Sequence, residues 1–305
     1  KRSNDTLEET VIHLFKKGIT MAEIAQLIEK MYGHHYTPQT ISNMTKAVSE
    51  TVDAFNNRSL HNRYVCVYLD ATYIAVRRDT VSKEAVYIAV GIREDGSKEV
   101  LAYTIAPTES AYNWQELLEE LKDRGVEDVL LFISDGLKGM ADAVFTVFPK
   151  AKYQVCLVHV ARNIMHKVRV EDRKEVCEDF KTIHQAKDAE AAKEALETFC
   201  EKWGKSYKKV AQGLLENPYL LTFYGFPKAI WRSIYSTNLI ESFNKQIKKY
   251  TKRKEQFPNE ESLERFLVTQ FEDYNQRFAT RCHIGFNQAR AELEEMFEQL
   301  HELAN

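Results

Sequence analysis

Three acidic residues stand in settings that suit one kind of chemistry. Asp70 closes the apolar run Tyr64 to Leu69, Asp135 follows the apolar run Val129 to Ile133, and Glu241 opens a basic helical segment carrying Lys245, Lys248 and Lys252. Carboxylates delivered from separate segments can converge on two divalent cations. Such cations take hard oxygen ligands and together clamp the attacking and leaving oxygens of a phosphodiester displacement. A basic helix beside them suits a phosphate backbone. Each acid also has an ordinary explanation. Asp135-Gly136 favours a turn, a charge at a strand end can simply terminate it, and Glu241, three residues after Asn238 as a helix cap, can complete a capping box or favour the helix dipole. The helical wheel separates these readings further: Ile240, Phe243, Ile247 and Tyr250 form a buried stripe, and Glu241 lies roughly opposite with the lysines. Two aspartates in one inferred sheet, followed by a glutamate on a lysine-lined face, favour a joint site over three separate accidents.

The elements that must position these acids are legible from periodicity. Leu7, Val11, Leu14 and Phe15 recur at helical spacing, and Thr20-Met21-Ala22-Glu23 has capping-box spacing before Ile24, Ala25 and Ile28. Thr37 caps a third helix with Pro38 at its first position and a stripe of Ile41, Met44, Val48, Val52 and Phe55. Three short helices, the last presenting Gln39, Thr40, Ser42, Asn43 and Lys46, resemble a helix-turn-helix, although a helical bundle used for packing or dimerisation has the same pattern. From Tyr64 the period becomes that of strands: Tyr64 to Leu69, Ala85 to Ile92 and Val100 to Ile105, the last two joined by Asp95-Gly96, a hairpin signal. A helix with Trp114, Leu117, Leu118 and Leu121 on one face precedes a fully buried strand at 129–133. A short helix near 140–147 and a strand at 153–156 follow. The order βββαβαβ predicts an α/β fold with a ribonuclease H-like mixed sheet. Residues from about 161 to 230 read as an all-helical insertion, and two amphipathic helices near 261–277 and 287–303 close the chain. The expected organisation is a helical segment 1–58, the first part of the sheet domain 59–160, an all-α insertion 161–235, and the remainder of the sheet domain with C-terminal helices 236–305.

Composition narrows the function. With 305 residues, 44% hydrophobic and 11% aromatic, the chain can bury a sizeable core, and its net charge of -3 argues against a protein that simply coats nucleic acid. Any DNA surface must be local. Five scattered cysteines predict reduced thiols and no disulfide framework, hence a cytoplasmic protein. No run approaches the length of a membrane span. The pair Cys156 and His159 invites a zinc reading, but a structural site needs four ligands and no second pair lies nearby. Cys156 reads better as a buried strand residue and His159 as a neighbour of the sheet end, contacting phosphate or ordering a metal site. Arg162 and Lys167 beyond them are further candidates for DNA contact.

At this point the residues carry a resemblance. Tyr68-Leu69-Asp70-Ala71-Thr72-Tyr73, Ile133-Ser134-Asp135-Gly136-Leu137-Lys138-Gly139, Cys156-Leu157-Val158-His159-Val160-Ala161-Arg162-Asn163 and Ser236-Thr237-Asn238-Leu239-Ile240-Glu241-Ser242-Phe243-Asn244, with Phe257-Pro258, resemble the Mutator-type DDE transposases of the bacterial insertion-sequence branch. The resemblance covers about residues 60–305 and departs from the pattern at Ala71, where many relatives have glycine. It implies Asp70, Asp135 and Glu241 as catalytic residues and ligands of two Mg²⁺ or Mn²⁺ ions, supported by Cys156 and His159. It implies cleavage of terminal inverted repeats and joining of the 3′-hydroxyl ends to target DNA, performed by a homodimer in the bacterial cytoplasm. DNA contacts are expected from Arg162, Lys245, Lys248, Lys249, Lys252 and Arg253, and from Gln39, Thr40, Asn43 and Lys46. Members usually carry a longer N-terminal DNA-binding region, so part of terminal-repeat recognition is expected outside this chain. Two other readings fit the same residues: a ribonuclease H-like nuclease that never rejoins DNA, and a domesticated, non-catalytic DNA-binding protein.

Overall fold

Local signals set the helices that begin the chain. The computed structural model describes residues 2–33, 35–45, 48–77 and 80–302. After α1 (Arg2–Lys16), the Thr20 hydroxyl accepts from the Glu23 N–H while the Glu23 carboxylate accepts from the Thr20 N–H, completing the expected capping box of α2 (Met21–Tyr32). Thr37 accepts the Thr40 N–H at the start of α3 (Pro38–Thr45). The stretch expected as a third helix is helical on both sides of residues 46–47, which lie outside the described residues: α3 precedes them and α4 (Val48–Asn57) follows. The Thr45 hydroxyl donates to the Ser42 carbonyl at 2.8 Å. Ile41, Val48, Val52 and Phe55 are all buried, as the stripe predicts.

The sheet has the order β3-β2-β1-β4-β5, from β1 (Arg63–Arg77), β2 (Val81–Ile92), β3 (Lys98–Ala106), β4 (Asp128–Ser134) and β5 (Lys152–Val155). The first three strands are antiparallel and β4 and β5 run parallel to β1, which is the ribonuclease H-like arrangement. One face packs under α5 (Ala111–Asp123) and α6 (Met140–Val147) through Tyr64, Val67, Trp114, Leu118 and Phe132. The other packs through Val65, Tyr68, Ile88 and Ile133 against a larger core shared with the remaining helices. Every residue of β4 is buried, as expected of a strand covered on both faces.

Beyond β5 the chain is helical: α7 (Leu157–Lys167), α8 (Arg173–His184), α9 (Ala189–Trp203), α10 (Lys208–Leu215), two 3₁₀ turns (Thr222–Gly225 and Lys228–Ile230), α11 (Trp231–Ile234), α12 (Asn238–Lys254), α13 (Glu260–Phe278) and α14 (Phe286–Glu302). The helical stretch therefore opens at Leu157, a few residues earlier than periodicity suggested, and Cys156 caps it instead of ending β5. A buried amide is among the bonds that join the sheet to the helical stretch. Gln154 Nε2 donates to the carbonyls of Val155 and Leu220, at 2.7 and 3.0 Å, and its Oε1 accepts the Phe223 N–H at 2.8 Å. Gln154→Leu would keep the volume and orphan the buried Leu220 carbonyl and Phe223 N–H, so it is expected to lower stability by about 2–4 kcal/mol. Urea unfolding of the variant beside the parent measures this, and a change below about 0.5 kcal/mol would mean the amide contributes little to the joint.

Candidate active site

Sheet register brings the two aspartates to one level. The last paired residues of β1 and β4 are Tyr68 and Ile133, and Asp70 and Asp135 each lie two residues further on. Asp70 does not end its strand: β1 continues to Arg77, pairing with β2 through Asp70 to Ile88 and beyond. The sequence suggested an end there because an acid follows an apolar run, but Thr72, Ile74 and Val76 are buried and carry the alternation on. What ends at this level is the parallel neighbour, leaving Asp70 beside an open place in the sheet. Asp135 sits in the turn that leaves β4. Its carboxylate accepts the Leu137 N–H at 3.2 Å, and Gly136 adopts a left-handed φ of 89°. A Cβ on Gly136 would lie 2.7 Å from Val155 Cγ2, so only glycine lets the turn pass this close to β5.

Glu241 reaches the same region because the helical excursion closes where it opened. The Leu157 N–H donates to the Tyr235 carbonyl at 2.9 Å, and the Thr237 N–H donates to Cys156 Sγ at 3.2 Å. Helix α12 then starts at Asn238 with Thr237 as its cap residue, so Asn238 is the first helical residue instead of the cap. The Thr237 hydroxyl makes no cap bond to the helix backbone. It lies 3.3 Å from Cys156 Sγ, 3.3 Å from His159 Nδ1 and 3.5 Å from Glu241 Oε1. Arg162, one turn beyond His159 on α7, grips Glu241 with two parallel bonds of 3.1 Å. Glu241 does not share the open exposure of the lysines: its side chain is 11% exposed, against 76% for Lys245, whose Nζ stands 4.0 Å from Glu241 Oε2.

The acids are joined through α12 itself. Asn244, one turn after Glu241, donates from Nδ2 to Asp70 Oδ2 at 2.8 Å. Burial pushes the Asp70 carboxyl up to about 6; the Asn244 bond works against the rise, while the charges of Asp135 and Glu241 add to it. Burial also disfavours the charge on Glu241, but Arg162 and then His159 overcome this and hold it below its ordinary value. The hydrogen bond to Cys156 raises His159, while burial of Cys156 is outweighed by His159 and Thr237, which leaves the thiol below its ordinary value. A fourth acid stands nearby: Glu109, raised by burial and by Asp135, accepts the indole N–H of Trp114 at 3.2 Å.

Two sets of candidate donors lie in this region. Asp70, Asp135 and Glu241 offer oxygen alone, and Asp70 feels the repulsion of the other two; the buried Asn244 Oδ1 beside it has no hydrogen-bond partner among the described residues. Cys156, His159 and Glu241 have ligating atoms within 4.8 Å of one another, a softer set in which the thiol and imidazole are already paired. Oxygen donors alone are the chemistry that hard divalent cations take.

The other sequence candidates fall in two places. Lys245, Lys248, Lys249 and Lys252 are exposed along α12, and the Arg253 side chain lies outside the described residues. Gln39 and Asn43 are exposed on α3 and bonded to each other at 3.2 Å, Thr40 is half-buried against Thr37, and Lys46 lies outside the described residues. Asn244 and Thr237 stand inside the quoted motif but had no role assigned, since neither residue type announces a site. Glu109 lies in a loop with no periodic signal.

Known proteins resolve what this arrangement belongs to. The profile described as "Transposase, Mutator family" matches residues 1–280. The chain belongs to the Mutator family of transposases. Its relatives include the transposase for insertion sequence element IS905 of Lactococcus lactis subsp. lactis, 50% identical over 97% of this chain and 76% of that protein. The transposase for insertion sequence element IS1201 of Lactobacillus helveticus is 50% identical over 90% of this chain and 74% of that protein. Among solved structures, the Drosophila P element transposase strand transfer complex aligns with 96% of this chain and 85% of that chain at 9% identity with a TM-score of 0.36, too remote to bear on the geometry of the site.

In this Mutator-family chain the raised Asp70 carries a measurable signature. Its folded value lies above its ordinary value of 3.8, so charging it in the fold opposes stability, a penalty absent below about pH 4 and fully developed above about pH 6. In a chelator, Asp70→Asn should stabilise the protein by about 1–2 kcal/mol at pH 8 and by almost nothing at pH 4. Urea unfolding at the two pH values tests this, and an equal effect at both would show that Asp70 is not shifted.

Proposed function

We propose that this chain is an insertion-sequence transposase that cleaves the terminal inverted repeats of its element and joins the freed 3′-hydroxyls to target DNA. Asp70, Asp135 and Glu241 are its catalytic carboxylates and hold two Mg²⁺ or Mn²⁺ ions. The observation that carries this reading is that the Asp70 carboxyl, on a central strand, feels both Asp135 and Glu241, although the three come from segments far apart in sequence. When bound, the ions supply Lewis acidity to the attacking and leaving oxygens of the phosphodiester.

The chain's own residues prepare that chemistry. Asn244 holds Asp70 in orientation and ties α12 to β1, Thr237 and His159 steady one Glu241 oxygen, and Arg162 neutralises both until another cation competes for them. The exposed lysines of α12 continue outward from Glu241 as a track for phosphates. Support for DNA as substrate comes from the family and from relatives named as insertion-sequence transposases. A homodimer would engage both element ends in one reaction. The reading places the protein in the cytoplasm; no described helix is long and apolar enough to cross a membrane.

Asp70→Asn, Asp135→Asn and Glu241→Gln are each expected to lower cleavage and strand transfer by about a thousandfold or more while leaving binding of an element end within about threefold. Full activity in any one of them removes that residue from the set. Pre-cleaved end DNA, a plasmid target and Mg²⁺ separate the readings: joined products are expected of a transposase, whereas hydrolysis alone would indicate a nuclease and no reaction a non-catalytic binder.

Replacing Lys248 and Lys252 together by Glu should weaken DNA binding across sequences and reduce the slope of log affinity against log salt by about 2. Anisotropy titrations at several salt concentrations measure it, and an unchanged slope would make the lysine face merely solvated.

A further inference from the structure

On the flank of α12 away from Asn244 lies a cavity of about 580 Å³ whose walls come from β3, α11, α12, α13 and the link to α14. Three cations face it, Lys98, Arg232 and Arg277, and among the described residues none of them has a carboxylate at ion-pair distance. Lys98 is the telling one. It is half-buried, its Nζ stands 4.0 Å from the Phe278 ring centroid, and its charged neighbour is Arg281. Burial and then Arg281 lower its pKa, and burial with Lys98 in turn presses His283 down to about 4. A half-buried cation with a like charge beside it and no carboxylate at ion-pair distance is stabilised by an anion that enters the cavity, which Arg232 and Arg277 line as exposed cations.

The rest of the lining is suited to a base. Half-buried Phe278 supplies aromatic surface, with the buried Tyr274 packed against it at 4.6 Å between ring centroids, Ile284 adds an apolar side chain 78% exposed at the rim, and Asn238 and Gln246 supply amides able to meet base edges. The volume falls within the roughly 300–1,000 Å³ usual for small-ligand sites. The walls are fixed closely. Gly285 has a φ of 86°, and a Cβ there would lie 2.1 Å from the Ala229 carbonyl oxygen, so the link carrying His283 and Ile284 meets the segment before Arg232 only because this residue is glycine. The His283 N–H donates to the Gly96 carbonyl at 2.8 Å, which pins the same link to the β2–β3 turn.

Position connects the cavity to the carboxylates. At 100° per residue, Glu241 and the cavity residues Ser242 and Gln246 lie on different flanks of α12, with the exposed Lys245 and Lys249 on the ridge between them. The helix is about 10 Å across, on the order of three stacked nucleotides at about 3.4 Å each. We propose that this cavity takes an unpaired nucleotide of the strand bound at the carboxylates, its phosphate held by Lys98, Arg232 and Arg277 and its base set against Phe278. The proposal rests on the reading of the neighbouring site as DNA-processing. It makes the basic ridge of α12 a bridge between two sites on one strand.

The test uses the full chain in a chelator, so that binding is read without cleavage. The probes are a fluorescent duplex with a short single-stranded thymidine overhang and a blunt duplex of the same paired length. The overhang should bind more tightly than the blunt form, and Arg232→Ala with Arg277→Ala should weaken overhang binding by about fivefold or more and blunt binding by less than about twofold. Equal losses on both probes, loss on neither, or no preference for the overhang in the parent would overturn the site. In those cases the DNA-processing reading stands provided the parent binds both duplexes and is still inactivated by Asp135→Asn. A parent chain that binds neither probe ends both readings. As a second measurement, 5-iodouracil placed in the overhang should crosslink to the stretch 274–284, and crosslinks confined to α1–α4 would count against the cavity.

Discussion

Carboxyl groups gathered in a partly buried recess repel one another, and much of the structure around α12 is arranged to bear that repulsion. Asp70 has little water to screen it and one amide to orient it. Glu241 is relieved by a bidentate guanidinium, an imidazole and a more distant ammonium. Cys156 and Thr237 are drawn into the same network because they set the imidazole that faces Glu241. The recess is thus electrostatically loaded, with cations of the chain standing where divalent cations are proposed to act. Such loading disfavours the folded state locally and favours whatever brings positive charge to it.

Holding these groups together requires closure over a long stretch of chain. The bond from Thr237 to Cys156 spans 81 positions, and that from Asn244 to Asp70 spans 174. The sheet provides the fixed side of the recess, since β1 and β4 are buried and in parallel register. The other side is α12, anchored by Ile240, Phe243 and Ile247 in the core, and by Phe257 beyond its end, which bonds to Ala75 and Arg77 of β1. The strand that carries Asp70 therefore also holds the far end of the helix that carries Glu241, so a tilt of one is felt by the other.

Much of this was legible from residue order. Hydrophobic period gave the strands because each is buried on at least one face, and the hairpin at Asp95-Gly96 and the cap at Thr20 are local chemistry that needs no tertiary context. The misreadings have one cause. Asp70 looked like a strand end, Cys156 like a strand residue and Asn238 like a helix cap, because each was judged by its neighbours in sequence while its role is set by partners far away. The same limit hid Asn244 and Glu109. It also hid the bond between Arg162 and Glu241, for an arginine beside a presumed phosphate track gives no sign that a distant carboxylate has claimed it. Lysine exposure on α12 was predictable, whereas the recession of Glu241 below that surface was not.

The closure of the helical excursion on Cys156 has a consequence in time as well as in space. A ribosome delivers Asp70 and Asp135 early, on strands able to pair as soon as β4 and β5 emerge, but Glu241 follows only after the whole excursion has been made and has folded back upon its own starting point. Local helices form quickly, whereas contacts of such separation must wait for the intervening chain. A polypeptide that ends before Glu241 therefore carries two of the three acids and lacks the third. For a protein whose proposed task is to break DNA, the order of synthesis keeps the recess incomplete until nearly all of the chain described here has been made.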